Sequence, residues 1–143
     1  MLEPRTALAL ALACSTLACQ DQDAEALDRA IDDFAERFET SRDLLCACPE
    51  QLGFASADEC EAASGEIDGA AQECIVDAFA GREGDGAEYL ECVVELQDAY
   101  AECLYGVGGC AADWYVTCQD QYEAAVTAEC AGGSAGFEGC LPE

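Results

Sequence analysis

Histidine and lysine are both missing from this 143-residue sequence, and arginine stands only at positions 5, 29, 37, 42 and 82. Without histidine there is no Ser-His-Asp or Cys-His nucleophile, no imidazole-ligated zinc, and no general base with an ordinary pKa near neutrality. Disulfide-rich helical phospholipases, which depend on a histidine, are excluded on the same ground. Scarce cations leave 31 carboxylates almost unopposed, for a formal net charge of −26. From Glu83 to Glu143 there are thirteen acidic residues and no basic one. Such a surface repels nucleic acid and anionic lipid and attracts cations or basic proteins. Long apolar runs are lacking too: Thr6–Ala13 is too short to cross a bilayer as an anchor helix. Alternating β-branched runs are nearly absent, which argues against a sheet.

What the sequence has in excess is cysteine, twelve in all. A reducing cytosol keeps thiols reduced, whereas in an exported chain this number reads as a disulfide framework. Cross-links also offset the self-repulsion of so anionic a chain, each by about 2–4 kcal/mol. Charge and cysteine content are therefore linked.

The first nineteen residues have the organisation of an export signal. Arg5 lies in a short charged head, Thr6–Ala13 is apolar, and Ser15 to Ala18 are mostly small before Cys19. Thr16-Leu17-Ala18-Cys19 resembles the lipobox of bacterial lipoproteins, with Thr16 where that family usually has leucine. The resemblance implies cleavage before Cys19, a diacylglycerol on its thiol, and membrane attachment through that lipid. Gln20, which is not aspartate, implies outer-membrane sorting in a host with two membranes. Ala11-Leu12-Ala13-Cys14 is a second candidate. Lipidation at Cys19 leaves ten cysteines for five bridges, and at Cys14 an odd eleven. Ordinary cleavage after Ala13 leaves an even twelve and a freely secreted protein. The expected division is a signal at 1–18, a tether at 19–23 and a cysteine-rich helical domain at 24–143.

Helical periodicity runs through that domain. Leu27, Ile31, Phe34, Phe38 and Leu45 form an apolar stripe over Asp21–Asp43, with Asp28, Asp32, Asp33, Glu36 and Glu39 mostly on other faces. A membrane-surface helix would carry basic residues there. Cys46-Ala47-Cys48-Pro49 ends the stripe, because the residue before proline is driven out of helical geometry. Ser56 with Glu59 reads as a capping box for a short helix containing Cys60. Gly65 breaks it, and Ile67, Ala71, Ile75 and Phe79 mark a helix containing Cys74, closed by Gly81. Asp85 with Glu88 reads as the cap of the next helix, and Ala111–Ala131 as the last. The expectation is an all-α, disulfide-stapled bundle of about five helices ending in a helical hairpin.

That hairpin is the organising stretch. Facing residues of an antiparallel pair share an index sum, and the sums for Cys92/Cys130 and Cys103/Cys118 differ by one, so both pairs can close in one register. Cys92 and Cys103 share a helix face, whereas Cys118 and Cys130 are near 120° out of phase, so one must approach from the side. The hairpin is similar in geometry to those of coiled-coil-helix proteins, at a different cysteine spacing. For the rest, the expected pairs are Cys48–Cys60, Cys46–Cys74 and Cys110–Cys140.

No catalytic constellation stands out, and neither an enzyme activity nor a cofactor is expected. Carboxylate pairs are too many for any one to be singled out. A Cys46–Cys48 bridge would suit a thiol–disulfide oxidoreductase, but no basic residue or βαβ pattern surrounds it to activate a thiol. Glu83–Glu91 lacks the alternating ligands of a calcium loop, so divalent cations are expected to bind only diffusely. Trp114 and Tyr115 read as core aromatics, with an exposed contact as the alternative. The function expected is binding or structural work at the cell envelope by a lipid-anchored protein, with a secreted effector or inhibitor as the alternative.

Overall fold

The computed structural model describes residues 5–106, 110, 111, 113–130 and 136–142, with side chains from Asp21 onward. Among these residues five α-helices follow in order: α1 (Arg5–Cys46), α2 (Ala57–Ser64), α3 (Gly69–Ala78), α4 (Glu83–Gly106) and α5 (Trp114–Glu129). Short 3-10 turns, Pro49–Leu52 and Phe137–Cys140, follow α1 and α5, and no strand occurs among the described residues. The fold is all-α and disulfide-stapled. Cys14 and Cys19, on which the leader expectations rest, lie outside the residues whose side chains are described.

The α1 stripe is what the bundle assembles on. Leu27, Ala30, Ile31 and Phe34 are buried, while Asp28, Asp32, Asp33, Glu36 and Glu39 face solvent. This stripe packs chiefly along α4, where Tyr89, Leu90 and Val93 are buried, and α3 with its C-cap adds Ile75 and Phe79. A second, smaller cluster at the other end joins Cys48, Leu104, Trp114 and Cys118. Trp114 thus belongs to the interior, and Tyr115 packs edge-on against it at 6.3 Å.

Capping follows local chemistry. Ser56 accepts from the Glu59 amide at 3.2 Å, and the Glu59 carboxylate accepts from the Ala55 amide at 2.9 Å, a capping box shifted back by one residue. Asp68 caps α3 through the Ala71 amide at 2.9 Å. The fourth helix starts earlier than the Asp85 cap predicts. Glu83 accepts from the Gly81 amide at 2.8 Å, so Gly84, Asp85 and Gly86 fall inside the first turns. Gly86 is there for closeness: a Cβ at this position would lie 2.6 Å from the Phe79 ring.

Among the described residues five disulfides close the bundle. Cys92–Cys130 and Cys103–Cys118 tie α4 to α5, with Cα separations of 5.6 and 5.8 Å. The phase conflict between Cys118 and Cys130 is resolved by helix termination. Cys118 sits inside α5, but Cys130 is the C-cap in extended geometry, free of the helical phase.

The other three pairings differ from expectation. Instead of Cys48–Cys60, Cys46–Cys74 and Cys110–Cys140, the structure joins Cys46–Cys60, Cys48–Cys110 and Cys74–Cys140. Cys46 is the last helical residue of α1, on the side where α2 packs, so Cys60 meets it. Cys48 lies beyond the helix end and reaches the segment between α4 and α5, which carries Cys110. α3 lies against the C-terminal turn, which brings Cys74 to Cys140. Chain-entropy arguments assign about 3 kcal/mol to a closure of 14 residues and about 4 kcal/mol to one of 66.

The C-terminal turn inserts Phe137 among rings from three helices. Its centroid lies 5.5 Å from Phe34, 5.9 Å from Tyr89 and 6.3 Å from Phe79. Pro142 then rests on Gly65, which has φ +70° and no room for a side chain, since a Cβ would come within 2.5 Å of the proline. Gly86→Ala pushes a methyl into the Phe79 ring, and overpacking of this kind costs about 1–3 kcal/mol. Urea unfolding should show that loss, although alanine is the better helix former in isolation.

Candidate functional site

Among the described residues a cleft of about 520 Å³ combines mainly apolar walls with a few polar side chains. It opens between α1, α4, α5 and the C-terminal turn. Phe34 and Phe38 line it from α1, Tyr100 from α4, Tyr122 and Val126 from α5, and Phe137 from the turn. The size falls within the range of small-molecule sites.

The walls follow from helical spacing. Phe34, Phe38, Ser41 and Leu45 advance by four, three and four along α1, so a serine sits in phase with the apolar stripe. On α4, Val93, Gln97 and Tyr100 repeat the pattern with a glutamine in phase. Ser41 and Gln97 are 7% and 6% exposed, which places both inside, where a polar group needs a partner. Neither Ser41 Oγ nor Gln97 Oε1 has one. These two were not singled out from the sequence; the signal that could have found them is a polar residue on an otherwise apolar helical face.

Tyr100 and Tyr122 face each other at 5.3 Å between ring centroids. Burial pushes both phenols up to about 12, and the nearby Glu123 carboxylate adds to the effect in each. For Tyr122 the neighbouring phenols add further, while a side-chain hydrogen bond with Gln97 pulls the other way. Burial, with Glu138 second, also raises Tyr89. At neutral pH the cleft therefore presents protonated hydroxyls on an apolar wall. Glu123 and Glu138 are exposed at its edge. Arg42 is the cation lining it, and its guanidinium is already engaged by Asp43 at 3.1 Å and by the Gly65 carbonyl at 3.1 Å.

The residues weighed for chemistry are placed elsewhere. Cys46 and Cys48 are buried and bonded to different partners, so they do not form the bridge of a thiol–disulfide exchange site. Glu83–Glu91 is helical, which spreads its carboxylates around an axis. A shallow groove between α1 and α3 carries Asp28, Asp32, Glu73 and Asp77. Among the described residues no group of three or more acidic or cysteine side chains is arranged to hold a metal ion. No helix among them is long and apolar enough to cross a membrane. Neither a family model, nor a curated protein, nor a solved structure matches the chain.

The raised phenol pKa values carry a sign for stability. The neutral forms are favoured by folding, so the contribution is complete below the ordinary tyrosine value of 10.0 and fades as pH rises toward about 12. Unfolding free energy measured across pH 9–12 should fall through that window. Replacing Tyr100 and Tyr122 together by Phe should flatten the fall; an unchanged profile would place the titrating groups elsewhere.

Proposed function

We propose that this chain is an exported protein anchored through a lipid on Cys19, whose oxidised helical domain binds a partner or ligand at the bacterial cell envelope. The observation that carries the reading is that ten cysteines are joined in five disulfides, since such bridges form and persist in oxidising compartments. Residues 1–18 supply the matching address, and Thr16-Leu17-Ala18-Cys19 the lipidation sequence. With Cys14 removed and Cys19 acylated, every remaining cysteine is one of the ten in bridges.

The binding role draws on the cleft and on charge. A net charge of −26 favours basic proteins and divalent cations as partners, and the acidic groove between α1 and α3 adds a local concentration of that charge. Nucleic acid is disfavoured by the same field. No reaction is assigned to the protein. The second reading, a freely secreted effector or inhibitor with the same fold, is favoured by the small residues that allow cleavage after Ala13.

Labelled palmitate should enter the wild type expressed in a bacterial host but not Cys19→Ala. The mass of the mature chain should correspond to Cys19 as first residue, with diacylglycerol attached and no free thiol. Unlabelled protein starting at Cys14 in the medium would instead establish secretion. A native protein carrying mostly titratable thiols would overturn both readings.

A further inference from the structure

The bridges differ in how far solvent reaches them. Cys46–Cys60 joins two buried residues, and Cys48–Cys110, Cys103–Cys118 and Cys92–Cys130 each contain one, namely Cys48, Cys118 and Cys130. Cys74–Cys140 contains none: Cys74 stands exposed on α3, and Cys140 is half-buried in the C-terminal turn. Thiol–disulfide exchange requires a thiolate to reach a sulfur, so access ranks the bridges and places this one first.

The same bridge holds the part of the fold with few other ties. Backbone hydrogen bonds of the turn close within it, from the Gly139 amide to the Gly136 carbonyl at 3.1 Å and from the Leu141 amide to the Glu138 carbonyl at 3.3 Å. Among the described residues no backbone hydrogen bond joins residues 136–142 to a helix. What remains is apolar contact: the Phe137 ring against Phe34, Phe79 and Tyr89, and Pro142 on Gly65. Two effects oppose that contact. Glu138 adds its charge to a chain of net charge −26, and a turn cut loose regains its conformational freedom. With Phe137 in place, Phe34, Phe79 and Tyr89 are each 5% exposed or less, so its departure uncovers three rings together.

We propose that Cys74–Cys140 is a redox latch: a dithiol reductant cuts it ahead of the other four bridges, the C-terminal turn then leaves, and the aromatic surface beneath it is exposed. The inference goes beyond the binding role proposed above and does not depend on a lipid at Cys19. The incoming thiolate attacks Cys74 Sγ to form a mixed disulfide, and the Cys140 sulfur leaves as a thiolate that takes up a proton. The reductant's second thiol gives up its proton and displaces Cys74, which leaves as a thiolate and is protonated in turn. Two electrons pass from the dithiol to the bridge, leaving two protein thiols and a reductant disulfide. Glu73 and Asp77 are exposed one residue before and three after Cys74, so the reductant that approaches is an uncharged or basic dithiol.

Dithiothreitol is the probe. The oxidised full chain, treated with limiting reductant and quenched with N-ethylmaleimide, should first yield a species carrying two maleimides beyond those of an unreduced control. Peptide mapping should place both on Cys74 and Cys140, with the other four bridges intact. In that species glutamyl endopeptidase should cut after Glu138 at least about tenfold faster than in the oxidised chain, as a locally opened segment requires. Nile red, a neutral dye, should brighten while far-ultraviolet circular dichroism stays helical. Cys74→Ser with Cys140→Ser should reproduce both changes without reductant; if that pair does not fold, the alkylated wild type carries the test. First alkylation at another pair, or all bridges opening together, would overturn the proposal. So would a doubly alkylated chain as resistant to cleavage as the oxidised one, or one in which Nile red is no brighter. Palmitate labelling of Cys19 reads the envelope proposal separately.

Discussion

Like charge is what this fold holds against. With 31 acidic side chains and five arginines, the chain cannot neutralise itself by pairing. Two ion pairs are formed among the described residues, Arg37 with Asp98 and Arg42 with Asp43, and the first is substantially exposed. Pairs of that kind contribute about 0–1 kcal/mol. Ionic attraction is therefore too small to hold the helices together, and hydrophobic burial must act against a repulsion that favours expansion. The disulfides change the terms of that contest by restricting the expanded chain itself. Two of them span 62 and 66 residues, and these link distant parts of the bundle directly.

Covalent closure also accounts for the interior being assembled from so little sequence. Phe137 belongs to a short turn near the C-terminus, yet it contacts aromatic rings from α1, α3 and α4. A four-residue turn has no helical register of its own to fix such a position. Cys140 fixes it from one side through Cys74, and Pro142 on Gly65 fixes it from the other. The turn then serves as a wall of the cleft, since Phe137, Glu138 and Leu141 all line it. Scaffold and cleft are one construction: the bridge that secures the core also positions the rim carboxylate Glu138.

The parts of this fold legible in the sequence are those governed by period and by local caps. The α1 stripe, the Ser56–Glu59 cap and the facing of Cys92 with Cys130 all follow from rules that act over a few turns. The choice between Cys46 and Cys48 as partner of Cys60 does not. Two residues apart, they differ in which side of a helix end they face, and that depends on where α1 stops relative to α2. Gly86 misleads for a related reason. With Asp85 read as a cap, Gly86 falls at the start of a helix, whereas here it lies within α4 and lets Phe79 rest against the helix backbone. Ser41 and Gln97 were hidden by their polarity. Only their phase, shared with Phe34, Phe38 and Val93, marks them as inward-facing.

That phase bears on how the cleft persists. An unpaired buried polar atom costs about 1–3 kcal/mol, and a helix pair free to slide could relieve the cost by exposing Gln97 to water. Here α4 cannot slide past α5, because Cys92–Cys130 and Cys103–Cys118 fix their register at two levels on either side of Gln97. Nor can the turn withdraw from Phe34 while Cys74–Cys140 is intact. The two α4–α5 bridges thus keep Gln97 in its inward-facing position between them.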